Sequence, residues 1–263
     1  MNSNQIPESV GYLRNDGRKG IRKVVLIAYL VECAHHVARE IAAAFRNPDV
    51  QVIGFGGCYP NAYAGKMMNA LCTYPNVGGV LIVSLGCESF NRNRLLETVQ
   101  ASGRPAKLIG IQNAGGTRNS IEEGMLFVKE TLKQIQSVLR VPLFKEDLCV
   151  GVVCGGSDAT SGITANPSVG NAFDRLVEAG ATALFENTGE LIGLEDILAS
   201  RAVTPELGAE LKRTVEKASQ YYAIMGHGSF APGNAEGGLT TQEEKSMGAY
   251  CKTGTAPIQG MIK

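Results

Sequence analysis

The residues best suited to chemistry form the segment CGGSDATSGITANPSVG, residues 154–170. Glycines, hydroxyls, an aspartate and an amide stand together there, and such groups hold small polar ligands. Glycine lets the backbone approach a ligand closely, and free N–H groups at the start of a helix favour an anion. The segment therefore predicts a binding site for a carboxylate or a phosphate.

The flanking residues predict where this segment lies in the fold. The apolar run Leu148–Val153 has the composition of a short buried strand. Apolar residues recur at helical spacing after the segment, at Val169, Phe173, Leu176 and Val177. Because α/β proteins place their sites at the carboxyl ends of strands, we expect the segment to connect a strand to a helix at such an end.

Strand and helix patterns alternate along the whole chain. In the first half, apolar strands are predicted near Val24–Leu30, Val50–Phe55, Val77–Leu85 and Lys107–Gln112, with helices between them. A long helix is predicted from Thr117 to Leu139, where Val141-Pro142 stops it, and Pro142–Asp147 is a plausible linker. Such alternation implies a parallel sheet covered on both faces.

We therefore predict an α/β fold of two Rossmann-like or flavodoxin-like units with mainly parallel sheets, at residues 1–145 and 146–263. The second unit is expected to be incomplete, because no closing strand follows its last predicted helix, Thr240–Tyr250.

Composition excludes several partners. Basic and acidic residues both number 25, so no charge excess favours nucleic acid or an anionic membrane. No run approaches the ~20 apolar residues of a membrane span, and the polar N-terminus lacks a signal-peptide core. We expect a cytoplasmic protein.

The seven cysteines are odd in number and lack close pairs, which favours free thiols over a disulfide framework. Most are expected in the core. Cys33, Cys58 and Cys87 each follow a predicted strand and could converge on one sheet edge. Tight packing, contact with substrate, and ligation of a metal or iron–sulfur cluster stay open for these three.

An arginine segment, GYLRNDGRKGIR at residues 11–22, precedes the first strand of the predicted parallel sheet. It is either a solvated basic turn or a clamp for carboxylates, which arginine binds through two parallel hydrogen bonds. His227 lies in a polar loop and is expected at the surface.

Four segments resemble the altronate and galactarate dehydratase family, which includes the large subunit of sulfolactate sulfo-lyase. They are the arginine segment, LGCE at residues 85–88, GGSDATSGITANP from Gly155, and GNAEGGLTTQEEKSMGA at residues 233–249. The resemblance implies elimination of water, or of sulfite, from a 2-hydroxy acid such as altronate or galactarate. It also implies dependence on a divalent metal, Fe(II) or Mn(II).

Matched position by position, the resemblance implies the site residues. Substrate binding is expected of Arg14, Arg18, Arg22, Gly155, Gly156, Ser157, Ser161, Thr164, Asn166, Asn234, Gly237, Gly238 and Thr240. Catalysis is expected of Lys245, as base or carboxylate partner, and of Asp158 and Glu244, as metal or proton-transfer groups. Cys87 and Glu88 are the expected metal ligands. Thr241 and Glu244 also fit an ordinary helix capping box.

The chain departs from the family pattern at Lys23 and at Gln112–Gly116. Family members also use a small β-rich domain, fused or as a separate subunit, and continue past the segment matching Thr253–Lys263. We expect this chain to lack both, and to form a homo-oligomer through exposed apolar faces.

Two other functions are considered. A non-catalytic module could retain carboxylate-binding loops without turnover. A dinucleotide-dependent oxidoreductase is disfavoured, because no GxGxxG motif follows the first predicted strand of the parallel sheet.

Overall fold

A computed structural model describes residues 9–186, 188–226 and 228–262, so the prediction for His227 lies outside the described residues. The chain divides into two compact units, Met1–Phe144 and Lys145–Lys263. No helix within the described residues is long and apolar enough to cross a membrane.

The first unit is built on a parallel sheet with helices on both faces. Its strands are β1 (Ser9–Leu13), β2 (Lys19–Gly20), β3 (Val24–Tyr29), β4 (Val50–Gly54), β5 (Val77–Ser84), β6 (Ala106–Gly110) and β7 (Arg140–Leu143). Its helices are α1 (His35–Ala43), α2 (Ala62–Cys72), α3 (Arg92–Ala101) and α4 (Thr117–Gln134). Strands β4, β3, β5 and β6 pair in that order, all parallel, which is a flavodoxin-like arrangement.

Burial on both faces explains the continuous apolar strands. Every residue of β5 is buried, because Leu81 packs into a core cluster with α1 and α4 while Ile82 packs into another with α2 and α3. Alternate residues of a strand point to opposite faces, so each face needs its own apolar set. The predicted α/β class is confirmed.

The loops after β3, β4 and β5 lie side by side at the carboxyl edge of this sheet. The amide of Glu32 donates to the carbonyl of Gly56 at 3.2 Å, and the amide of Ser89 donates to that of Cys58 at 2.9 Å. The order of the strands reverses here, because β4 lies on one side of β3 and β5 on the other, and this is the switch point where open α/β sheets bind ligands.

The cysteine expectation is wrong for most positions. Cys33, Cys58 and Cys87 are exposed in the loops at this edge, and Cys149 and Cys251 are also exposed. Tight strand-end packing therefore does not explain the first three. Cys72, which is fully buried in α2, is a core residue, and burial raises the pKa of its thiol to about 12.

The arginine segment and the predicted linker differ from expectation. Residues of both form a three-stranded antiparallel sheet, ordered β2-β1-β7, in which Gly11 pairs with Val141. Helix α4 ends at Gln134, earlier than the predicted Leu139, and the chain then turns into β7. Pro142 fits this strand because β7 lies at the sheet edge, where a missing N–H is tolerated.

The second unit is mostly helical. Its strands β8 (Cys149–Val153) and β9 (Thr182–Glu186) form a two-stranded parallel sheet within the described residues. Its helices are α5 (Ala165–Glu178), α6 (Glu195–Ser200), α7 (Pro205–Ile224), α8 (Pro232–Glu236) and α9 (Gln242–Cys251). Leu191, Leu198, Leu211, Val215 and Ile258 form its main apolar cluster. The loop from β8 to α5 thus lies at a strand end, as predicted.

Candidate functional site

The central loop, residues 154–166, is shaped by Asp158. Its Oδ1 accepts hydrogen bonds from the amide and hydroxyl of Thr160, both at 2.7 Å, and from the amide of Ser161 at 2.9 Å. The bond from the Thr160 hydroxyl, followed by those from the amides, lowers the pKa of this carboxyl. Asp158 therefore stays ionised and fixes the turn that leads into α5.

Some hydroxyl and amide side chains of the loop form hydrogen bonds within the loop, and one forms a hydrogen bond to another segment. Thr164 donates its hydroxyl proton to the carbonyl of Thr160 at 2.7 Å, so toward a ligand it can only accept. Ser161 also binds within the loop, where its hydroxyl accepts from the amide of Asp158 at 3.1 Å. The amide nitrogen of Asn166 reaches out of the loop to the carbonyl of Gly248 at 2.8 Å.

The C-terminal motif, residues 233–249, packs directly on the central loop. The amide of Ala159 donates to the carbonyl of Gly237 at 3.0 Å. A Cβ added at Gly237 would lie 3.2 Å from the Cβ of Asp158, so a larger residue would force the segments apart. Gly238 has φ +90°, a conformation that only glycine adopts without strain. The structure thus brings together two segments that lie far apart in sequence.

Steric crowding does not explain why glycine occupies the two positions at the start of the central loop. A Cβ at Gly155 or Gly156 would meet no atom of the described residues within 4 Å. The backbone there is open, and Gly155 and Gly156 are exposed. An approaching ligand could therefore reach this backbone, which is what the predicted substrate-binding role requires.

Asn234 connects Lys245 to the central loop. Its amide nitrogen donates to the carbonyl of Ser157 at 3.4 Å, and its Oδ1 accepts from Nζ of Lys245 at 3.1 Å. The Lys245 ammonium also donates to the carbonyl of Ser229. Both acceptors are neutral, so these two bonds do not neutralise the positive charge of the half-buried ammonium. An ammonium has a third hydrogen, which suits it to a substrate carboxylate.

Glu244 is oriented by the start of α9. Its Oε2 accepts from the amide and hydroxyl of Thr240 at 2.7 and 2.6 Å, and its own amide donates to the hydroxyl of Thr241. The bond from the Thr240 hydroxyl, then that from the amide, lowers the pKa of this carboxyl. Thr241 supplies the expected cap of α9, while Glu244 pairs with Thr240.

Lys252, which directly follows α9, is a buried lysine that the sequence did not predict as a site residue. Lys252 is only 6% exposed, and its Nζ donates to the carbonyl of Val153, the last residue of β8, at 3.5 Å. The adjoining backbone is held by the carboxylate of Asp174, which accepts from the amides of Thr255 and Ala256. A second cation therefore stands where the central loop begins.

The three predicted substrate arginines lie in the first unit, at the amino-terminal edge of its parallel sheet. Their hydrogen-bond acceptors belong to the loops that precede β4 and β5, together with the arginine segment itself: Pro75 and Arg22 for Arg14, Asp16 and Thr73 for Arg18, and Pro48 and Asp49 for Arg22. These bonds fix the antiparallel sheet to the parallel one. Substrate binding by these arginines stays a prediction.

Glu88 lies at the carboxyl edge of the same sheet and is buried. One oxygen accepts from the hydroxyl of Ser84 and lies 3.8 Å from Nη1 of Arg92, and the other accepts from the amide of Gly86 at 2.8 Å. Burial alone would raise the pKa of this carboxyl, but the bonds from Ser84 and Gly86 outweigh it and the pKa is lowered. Glu88 thus holds the turn that carries the exposed Cys87.

Two family descriptions match the chain in succession. "D-galactarate dehydratase/Altronate hydrolase, second domain" matches residues 11–136, and "D-galactarate/Altronate dehydratase, C-terminal" matches residues 145–263. The chain belongs to the galactarate/altronate dehydratase family. The predicted resemblance is confirmed.

Named relatives in this family carry out two related eliminations. The chain is 28% identical to altronate dehydratase of Bacillus subtilis, over 99% of this chain and 55% of that protein. It is 29% identical to (2R)-sulfolactate sulfo-lyase subunit beta of Chromohalobacter salexigens, over 93% of this chain and 64% of that subunit. It is 36% identical to galactarate dehydratase (L-threo-forming) of Escherichia coli, over 70% of this chain and 37% of that enzyme. The chain therefore spans roughly half the length of these relatives.

The metal that the family resemblance implies was tested against the donor groups present. Each oxygen of Glu88 accepts a hydrogen bond from Ser84 or Gly86, so this carboxylate is already held within its own turn. Across the described residues, no three His, Cys, Asp or Glu side chains come together in a way that could hold a metal ion. We therefore assign no ligand set, and metal dependence stays a prediction.

The lowered pKa of Glu88 predicts a dependence of stability on pH. A carboxyl whose pKa is lowered in the folded state stabilises the fold at pH values above its ordinary pKa of 4.5. This stabilisation is lost progressively as the pH falls below 4.5 and through the lowered pKa. We expect Glu88→Gln to reduce the free energy of unfolding at pH 7 by about 1–3 kcal/mol. The difference from wild type should shrink below pH 4.5, as measured by urea unfolding. A difference that stays constant down to pH 3, or an equal one for the exposed Glu97→Gln, would contradict this role.

The position of Lys252 also predicts a measurable effect. Because a buried lysine is costly to desolvate, Lys252→Met should leave the unfolding free energy equal or higher. If the cation serves an anionic substrate, the same variant should raise KM about tenfold, the cost of one charged hydrogen bond. Lys217→Met, at an exposed position on α7, is the matched control. An unchanged KM would leave Lys252 with a packing role alone.

Proposed function

We propose that this chain is the core of a carbon–oxygen lyase that removes water from a sugar acid or a related 2-hydroxy acid. Altronate and galactarate are the proposed substrates, and a 2-keto-3-deoxy acid is the product. The observation that carries the proposal is the packing of the central loop on the C-terminal motif, with Asn234 joining Lys245 to Ser157. Membership of the family supports the same reaction.

The reaction needs positive charge beside the substrate carboxylate. A base accepts the proton next to that group, which leaves an enolate-like dianion, and the neighbouring hydroxyl then receives a proton and leaves as water. We assign Lys245 to the carboxylate, since its ammonium already donates to two neutral oxygens and has a third hydrogen. Gly155, Gly156 and Ser157 would bind the other oxygens from the open side of the loop.

The two carboxylates of the site suit another task. A proton acceptor works best when its pKa lies near the working pH, whereas the pKa values of Asp158 and Glu244 are both lowered. We propose that Asp158 and Glu244 stay ionised and hold the central loop and the start of α9 in place. Asn166 and Thr240 then serve the same purpose, because their bonds also join or shape the two segments.

Dependence on Fe(II) or Mn(II) is proposed from the family alone. When bound, such a metal would chelate the 2-hydroxy acid and stabilise the developing negative charge. Elemental analysis of protein purified under reducing conditions tests this proposal, and absence of both metals from active protein would refute it.

Elimination of sulfite from sulfolactate is the second candidate. The observation that favours it is the similarity to the sulfo-lyase subunit over 93% of this chain. Proton removal beside the carboxylate would be the same, and only the leaving group would differ. Discrimination between leaving groups depends on a few pocket contacts, so the substrate panel must include both kinds.

We also propose that the chain assembles with other subunits, either copies of itself or a small β-rich partner. Exposed apolar side chains form a stripe along α2 and its flanks: Tyr59, Tyr63, Met67, Leu71 and Tyr74. Such stripes mark interaction surfaces. A relative named as a "subunit beta" is consistent with more than one kind of chain.

Light scattering after gel filtration should give a mass above the 27.9 kDa of the monomer. A monomer would contradict self-assembly. Location in the cytoplasm stays a prediction.

A panel of acids tests the function directly. The purified chain would be incubated under reducing conditions with aldonates, aldarates and sulfolactate, with Fe(II) or Mn(II), and formation of a 2-oxo acid would be followed. Turnover of a sugar acid supports the hydro-lyase, and turnover of sulfolactate with release of sulfite supports the second candidate. Binding of acids without turnover, by folded protein in every condition, would favour the non-catalytic module.

A further inference from the structure

The first unit contains a cavity of about 480 Å³ at the amino-terminal edge of its parallel sheet. Its wall includes Gly78 at the start of β5 and Gly103 just before β6. Open α/β sheets usually bind ligands at the opposite, carboxyl edge. The polar groups around this cavity therefore lie away from the usual ligand-binding edge of such a sheet.

Arg104 lines this cavity with its hydrogen bonding incomplete. The residue is only 5% exposed, and its Nε donates to the carbonyl of Val77 at 2.9 Å. Nη2 donates to the carbonyls of Thr73 and Tyr74. Nη1 is buried and has no acceptor within the described residues. Buried N–H groups nearly always have a partner, and leaving one unpaired costs about 1–3 kcal/mol.

A second buried guanidinium stands in the same wall. Arg14 is 6% exposed and donates to the carbonyls of Pro75 and Arg22 at 2.6 and 2.8 Å. Burial, and then the charge of Arg104, lower the pKa of Arg14 to about 10. Like charges in a buried cluster repel each other, so this pair of guanidinium groups favours a neighbouring anion.

The neighbouring carboxylate does not compensate both charges. Asp16 interacts electrostatically with Arg14 and Arg104, but it is paired with Arg18 at 2.6 Å. The residues that line the cavity include no Asp or Glu. They do include the amides of Asn15 and Gln134, which can donate hydrogen bonds. The wall of the cavity therefore carries two buried cations and two amide donors, with no acidic side chain among the lining residues.

We propose that this cavity binds a small oxyanion, a carboxylate or phosphate group, through Arg104 and Arg14. Nη1 of Arg104 would donate to an oxygen of either group, because Nε and Nη2 already donate to backbone carbonyls. The proposal rests on the first unit alone and does not depend on the lyase assignment.

Calorimetric titration of the full chain tests the proposal. Inorganic phosphate and galactarate would be titrated separately at fixed ionic strength, which separates the two sources of the oxyanion. We expect saturable binding of at least one of them, weakened at least ~10-fold in Arg104→Met, the loss of one charged hydrogen bond. Arg118→Met, at a side chain that is 91% exposed, should bind as wild type does.

A second variant guards against misfolding of Arg104→Met. Gln134 is exposed, so Gln134→Glu should fold, and its carboxylate would compete with the bound anion at the cavity wall. Gln136→Glu, outside the lining, is its control. Weaker binding in Gln134→Glu but not in Gln136→Glu supports the proposal.

The proposed lyase site could also take up galactarate, so the titrations would be repeated with Lys245→Met. Galactarate binding that Lys245→Met removes and Arg104→Met retains belongs to the lyase site. The cavity proposal is overturned if neither ligand binds, or if binding is unchanged in both Arg104→Met and Gln134→Glu.

Discussion

Replacement of Lys245 by methionine is expected to lower turnover of the preferred acid by about 10²- to 10³-fold, the usual cost of removing one donor to a developing anion. The variant retains the length of the side chain and removes its ammonium. That ammonium now donates to the carbonyl of Ser229 and to Oδ1 of Asn234. Steady-state kinetics measures the loss, and it should appear in kcat as well as in kcat/KM.

Two controls distinguish lost charge from lost structure. Lys217→Met, at an exposed position on α7, should retain wild-type kinetics. Asn234→Ala should lose less than Lys245→Met, because it removes the link to Ser157 but leaves the cation in place. A Lys245→Met protein with nearly normal kcat and a normal circular dichroism spectrum would remove Lys245 from the site.

Replacement of Gly170 by alanine is expected to destabilise the second unit through a steric clash. Gly170 is buried in α5, and an added Cβ would lie 2.1 Å from the carbonyl oxygen of Cys251 at the end of α9. Backbone cannot yield as a flexible side chain does, so the two helices must separate. Overpacking of this kind costs roughly 1–3 kcal/mol, even though alanine is the better helix former by about 1 kcal/mol.

Gly170→Ala should also lower turnover, because it displaces site residues without removing any of their functional groups. Asn166 lies near the start of α5 and Lys245 on α9, so separation of the helices would disturb the contact between the central loop and the C-terminal motif. Urea unfolding and kinetics would be measured on the same samples. Gly151→Ala is the control, because a Cβ there meets nothing within 4 Å. Equal stability of Gly170→Ala and Gly151→Ala would refute the steric argument.

Local patterns in the sequence predicted the elements of the parallel sheet well. The predicted strand Val77–Leu85 differs by one residue from β5, because an apolar strand buried on both faces has few alternatives. The antiparallel sheet β2-β1-β7 was missed because β2 has only two residues and β7 lies more than a hundred positions from β1, as in the pairing of Gly11 with Val141. Nothing local indicates a five-residue strand whose partner lies so far along the chain.

The sequence also located the central loop and the C-terminal motif but not the partners of their side chains. Asp158 and Glu244 are of the expected type, yet their oxygens are bound within their own turns. Lys252 and Arg104 were not predicted as site residues, because their burial cannot be recognised in the sequence. A basic residue is normally expected at the surface, and only the folded chain reveals that both are buried.

The most direct test of the proposed lyase is the mass of the product formed in deuterium oxide. Galactarate or altronate would be incubated with the folded chain under reducing conditions with Fe(II) or Mn(II), and the product analysed by mass spectrometry. We predict loss of one water and a 2-oxo acid that carries solvent deuterium on the carbon next to the carbonyl, because the enol takes a proton from solvent there. Recovery of every tested acid unchanged, including sulfolactate, would contradict the assignment as a lyase.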